Sequence, residues 1–135
     1  MMRTAGPRME GYVGAALVIC GITWTWDFVA SIYFAGQMAL NLTIISSLVY
    51  LEAGFIGAFM LTRRLPKNHM NVGLRIGLYA FLVNLAFRMI LFELWEALWG
   101  VVIYFVGFTI GGMLGGIFAK KIQVGNRPTE ASQSN

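Results

Sequence analysis

Two carboxylates, a guanidinium and a carboxamide stand inside long apolar stretches of this chain: Asp27, Glu52, Arg88 and Asn84. In such surroundings ionisable groups pair with one another, line a path for an ion or proton, or meet a partner chain. Asp27 shares a helical face with Ala16, Cys20, Thr23 and Ser31. Arg88 shares one with Gly77 and Asn84, because residues three and four apart stack on the same side of a helix. Counted from the ends of their apolar stretches, Asp27 and Arg88 lie equally deep, ~10 Å in at 1.5 Å per residue. Equal depth predicts an Asp27–Arg88 pair, since either charge alone near a bilayer centre would cost ~2.5–3.5 kcal/mol on insertion scales. Glu52 fits less well, being ~200° around its helix from Gly54 and so away from the small face made by Ser47, Gly54, Gly57 and Ala58. Three readings stay open for it: a third member of the polar cluster, a proton or cation site, or a contact with another subunit.

Other chemistries are thinly supplied. One His (His69) and one Cys (Cys20) allow no disulfide framework, zinc cluster or bis-histidine haem within the chain. His69 falls in a basic loop and reads as solvated. No nucleophile–base pair, metal-ligand cluster or phosphate-binding loop is visible, so neither catalysis, a metal nor a cofactor is expected.

The elements that hold these residues follow from composition. Of 135 residues, 58% are hydrophobic and 12% charged, too apolar for a small soluble domain, which leaves much of its surface wet. Four spans of ~20 residues would take up about 60% of the chain. The pattern predicts an all-α, polytopic integral membrane protein: one domain, 1–135, of four transmembrane helices as two helical hairpins. The spans are expected at about 12–34, 43–62, 74–95 and 98–119, with a short polar tail over 120–135. Pro66 discourages helix continuation between the second and third.

The net charge of +4 is placed as membrane orientation demands, not as a nucleic-acid patch. Arg3 and Arg8 precede the first span; Arg63, Arg64, Lys67 and Arg75 follow the second; Lys120, Lys121 and Arg127 follow the fourth. The other two connections carry no Lys or Arg, and the second of them holds Glu93 and Glu96 beside Trp95 and Trp99. Both termini are therefore expected on the cytoplasmic side of a membrane, the cell membrane being the expected one, with Arg63, Arg64, Lys67, Lys120 and Lys121 as basic anchors.

Glycine supplies the packing signal. Gly107, Gly111 and Gly115 form one row of the fourth span, Gly112 and Gly116 an adjacent row, and Gly73 and Gly77 open the third. Stripes without side chains let another helix come close; an internal partner is expected, another subunit being the alternative. Gly54-Phe55-Ile56-Gly57-Ala58 before Arg63-Arg64 echoes Gly112-Met113-Leu114-Gly115-Gly116 before Lys120-Lys121, a faint repeat that would relate the two hairpins by an axis along the membrane normal.

In length and span count the chain resembles the small multidrug transporters. Their first-span carboxylate sits in a different local pattern, whereas Asp27 lies late, after Trp24-Thr25-Trp26, so no function is carried over. The expectation is a non-catalytic structural or accessory subunit of a larger membrane complex, its partners membrane lipids and other membrane subunits, a hetero-complex before a homo-oligomer. The alternative is a small oligomeric transporter or ion/proton channel using Asp27, Glu52 and Arg88.

Overall fold

The computed structural model describes residues 8–34, 40–91 and 98–125. They form four helices, α1 (Met9–Tyr33), α2 (Leu40–Thr62), α3 (His69–Leu91) and α4 (Leu98–Gly125). At 1.5 Å per residue each exceeds the ~30 Å hydrocarbon core of a bilayer, and all four are long and apolar enough to cross a membrane. No strand occurs among the described residues.

Local chemistry explains the boundaries. No helix contains a proline. Pro66 has no N–H and disfavours a helical Leu65, so α2 closes with Arg63 N–H on Phe59 O at 3.0 Å and Leu65 N–H on Thr62 O at 3.0 Å. Asn68 then takes a left-handed backbone, φ 63°, a conformation asparagine tolerates better than most residues. It also accepts the first bond of the next helix, from Val72 N–H at 3.0 Å. Helix α3 thus starts at His69 and not near Leu74, and α4 runs on through Lys120, Lys121 and Gln123 to Gly125. Residues 120–125 are helix where a polar tail was expected. Arg3, residues 35–39, Glu93, Trp95, Glu96, Arg127 and the rest of the tail from residue 126 onward lie outside the described residues.

Burial is inverted relative to a soluble bundle. Leu17, Leu48, Ile56, Leu82, Ile110, Leu114 and many other large apolar side chains are exposed, while Ala16, Ala53, Ala58, Ala80, Thr23, Thr62 and Asn84 are buried. In water that arrangement would leave the hydrophobic term unused. In lipid, where outward Leu and Ile are already solvated, close packing of small residues and interior hydrogen bonds hold helices together.

Helix α4 packs most extensively against α2 and then α3, while the backbone of α1 comes close to α2 and α3 but, among the described residues, not to α4. The two glycine rows of α4 divide this work. Gly107, Gly111 and Gly115 abut Tyr50, Leu51, Phe55 and Ala58 of α2, whereas Gly112 and Gly116 abut Gly73, His69 and Met70 of α3. Gly73 and Gly77 face α4 in return. At Gly111 an added Cβ would lie 3.0 Å from Phe55 N and 3.1 Å from Leu51 C. The obstruction is backbone, so any side chain there must push the helices apart.

The repeat is carried only partly into this packing. Gly54 and Gly112, equivalent in the two halves, do meet, an added Gly54 Cβ lying 3.3 Å from Gly112 N. A strict two-fold axis would also require α1 to touch α4 as α2 touches α3, and it does not.

Candidate functional site

All four helices send one polar side chain to a common point. Asp27 comes from α1, Tyr50 from α2, Arg88 from α3 and Tyr104 from α4. Arg88 Nη2 donates to Asp27 Oδ2 in an ion pair, and also to Tyr104 Oη. Tyr50 Oη donates to Asp27 Oδ1 at 2.6 Å, and the two tyrosine oxygens stand 2.9 Å apart. A phenol has one proton, and that of Tyr50 is committed to the carboxylate. The bond between the tyrosines is therefore donated by Tyr104, whose oxygen accepts from Arg88. Donors and acceptors then close a ring: Arg88 to Tyr104, Tyr104 to Tyr50, Tyr50 to Asp27, with Arg88 bonded directly to Asp27 as well.

Aromatic faces complete the enclosure. The guanidinium carbon of Arg88 lies 4.3 Å from the Tyr104 ring centroid, close enough for cation–π attraction. The Tyr50 and Tyr104 rings are tilted against each other at 4.3 Å, and Phe108 meets Tyr50 edge-on at 6.1 Å. Among the described residues α1 and α4 have no close backbone approach, and this ring links them through Arg88 and Tyr50.

A second tier of bonds flanks the ring. Trp24 Nε1 donates to Asn84 Oδ1 at 3.0 Å, and the Trp24 indole stacks on Phe87 at 4.0 Å. Asn84 is 1% exposed, and a carboxamide so deep requires a partner of this kind. Trp26 Nε1 donates to Ser46 Oγ at 2.9 Å. In the same helix Thr23 Oγ1 donates to Cys20 O at 3.0 Å; Ala16, Cys20 and Thr23 of the small polar stripe are buried, while Ser31 at its far end is exposed.

Glu52 does not join the cluster. It is exposed, half-way along α2, on the side opposite Gly54 and Ala58. The same exposed face carries Leu48, Ile56 and Met60, each a multiple of four residues from Glu52.

The basic end of the bundle holds the other difference from expectation. His69 is not a solvated loop residue; it is 6% exposed. The cause is the early start of α3, whose first turn packs over Gly116. His69 Nε2 donates to Gln123 Oε1 at 2.8 Å. Gln123 Nε2 in turn donates to Arg63 O at 2.6 Å and Leu65 O at 2.9 Å. Arg63, Arg64, Lys67, Lys120 and Lys121 surround this brace and are all exposed. Groups of three or more His, Cys, Asp or Glu able to hold a metal are absent among the described residues.

Tyr50, Tyr104, Trp24 and Gln123 are the site residues that reading the sequence overlooked. The first two had a usable signal: Tyr104 precedes Gly111 by seven residues and Tyr50 precedes Gly54 by four, which places both phenols on the glycine faces and hence inside.

The fold and site together define a class: an all-helical chain with four helices of membrane-crossing length closed around a hydrogen-bonded ion pair. Beyond that class, comparison with known protein families, with characterised proteins and with solved structures finds no match.

Proposed function

We propose that the protein is a non-catalytic structural or accessory subunit of a larger membrane assembly. It lies in the cell membrane as two helical hairpins with both termini cytoplasmic. The orientation rests on the basic residues, which collect at one end of the bundle and follow the positive-inside pattern. The assembly reading is carried by Glu52, an exposed carboxylate half-way along a spanning helix, flanked by Leu48, Ile56 and Met60. A carboxylate facing lipid at that depth is costly, and a hydrogen-bond donor or cation on a neighbouring subunit removes the cost. A different protein is favoured over a second copy, with membrane lipids covering the remaining face; nucleic acid has no place in the scheme.

The interior supports packing in preference to passage. Asp27 and Arg88 direct their bonds to one another and to two tyrosines, and α4 sits backbone to backbone on α2 and α3. An ion or proton pathway would need those bonds to break and the helices to part.

The test is mild-detergent extraction of the native membrane, with native-gel mass and mass spectrometry of what travels with the chain. Larger proteins should co-migrate at fixed stoichiometry, and Glu52→Leu, which suits lipid and leaves the bundle intact, should release them. A chain that migrates alone or only with itself would overturn the proposal. Orientation is checked in a Cys20→Ala background carrying Lys67→Cys, which a membrane-impermeant thiol reagent should label only after cells are opened.

A further inference from the structure

The connection between α2 and α3, the opening turn of α3 and the last turns of α4 line an open-sided cavity of about 430 Å³ at the basic end of the bundle. That volume falls within the ~300–1,000 Å³ usual for small-molecule sites. Lys67 of the connection and Lys120 of α4 line it, together with Asn68 and Asn71. No carboxylate lines it, and the sequence has no Asp or Glu anywhere from 53 to 92 or from 97 to 129. Among the described residues the one ion pair is Arg88–Asp27, far along the bundle. Among the described residues, neither ammonium group of the cavity is paired with a carboxylate. Met70 and Val124, 48% and 63% exposed, add apolar surface to its wall.

The cavity has a built frame. Gln123 ties Arg63 O and Leu65 O to α4, and its Oε1 accepts from the buried His69. Two of those bonds hold the connection that carries Lys67 against the helix that carries Lys120, and the third holds the first turn of α3 there, so the backbone frame is set without a ligand. Preorganisation of this kind lowers the entropy lost on binding.

The geometry points to a binding site for a phosphate group presented as the headgroup of an anionic phospholipid. Two ammonium groups and two carboxamides offer donors in a lining that holds no carboxylate, which selects an anion. The cavity is at the ends of spanning helices, the level at which headgroups lie, and basic pockets between such helices take up anionic lipid heads. A free anion would leave Met70 and Val124 uncovered, whereas a lipid sets its glycerol and first methylenes against them. The inference rests on the four spans and not on the assembly reading, so it stands or falls separately from Glu52.

The test uses the full-length chain in nanodiscs of phosphatidylcholine alone, of phosphatidylcholine with phosphatidylglycerol, and of phosphatidylcholine with inorganic phosphate in the buffer. Lipid retained on the protein is read by native mass spectrometry and the thermal midpoint by tryptophan fluorescence. Phosphatidylglycerol should be retained and should raise the midpoint, and inorganic phosphate should not. Lys67→Gln with Lys120→Gln should weaken retention about 25-fold, roughly five-fold per lysine near an anionic surface. Arg64→Gln with Lys121→Gln removes equal charge outside the cavity and should leave most of the retention in place. All four side chains are exposed, and helicity measured by circular dichroism confirms that each variant folds. Equal loss in the two double variants would overturn the site, since bulk charge would then suffice. An equal rise with inorganic phosphate would overturn the lipid assignment.

Discussion

Asp27→Asn keeps the side chain's shape and an acceptor for Tyr50 while deleting its charge. Arg88 then keeps Tyr104, through the hydroxyl and the ring face, but loses its counter-ion. Removing one partner of a fully buried pair costs about 3–5 kcal/mol. Here the two side chains retain some exposure, 30% for Asp27 and 17% for Arg88, and the tyrosines remain, so the loss should be about 2–3 kcal/mol. Arg88→Gln should cost about 2 kcal/mol, because Asp27 retains the charge-assisted bond from Tyr50. The double variant holds no unpaired charge and keeps neutral hydrogen bonds, so it should be less destabilised than the sum of the singles by about 2–3 kcal/mol. The assay is reversible unfolding in mixed micelles with increasing dodecyl sulfate, followed by tryptophan fluorescence; Trp24, stacked on Phe87 beside Arg88, reports locally. Additivity of the two singles to within about 0.5 kcal/mol would refute the pairing argument. So would single variants as stable as the parent.

The same assay separates packing glycines from idle ones. Gly111→Ala should cost about 1–3 kcal/mol, as overpacking does, because its methyl meets the backbone of Leu51 and Phe55. Gly21→Ala meets nothing within 4 Å and should stabilise by about 0.5–1 kcal/mol through helix propensity; equal effects at the two positions would sink the close-approach reading. Gln123→Ala removes both bonds to the α2–α3 connection, so trypsin should cut after Arg63, Arg64 or Lys67 several-fold faster with helicity unchanged. An unaltered cleavage rate would show that the brace does not hold the loop.

The number and apolar character of the helices were legible in the sequence because they depend on composition along the chain; the start of α3 and the end of α4 were not. Apolar runs of spanning length, a proline at 66 and basic residues gathered between the runs need no knowledge of what packs on what. The Asp27–Arg88 pair was legible for the same reason: it was expected from position along each helix, and rise per residue is a one-dimensional quantity. So was the existence of two glycine rows on α4, since helical periodicity alone separates Gly111 from Gly112. Which helix each row meets was not, because Gly111 against α2 and Gly112 against α3 is a matter of how helices are arranged around one another.

Tertiary structure decided the rest. Tyr50 and Tyr104 are ordinary apolar-span residues in sequence, and they become hydrogen-bonding members of the ring only when four helices converge. His69 reads as a loop residue until the first turn of α3 is laid over Gly116, where a helix start and a neighbouring glycine together bury it. Glu52, left with three readings by its position along the chain, is separated from Asp27 and Arg88 by the rotation of α2, which glycine contacts with α4 and α1 fix. Sequence sets depth and periodicity because both are properties of a single helix; partners are set by the rotation and neighbours of each helix, and those exist only in the assembled bundle.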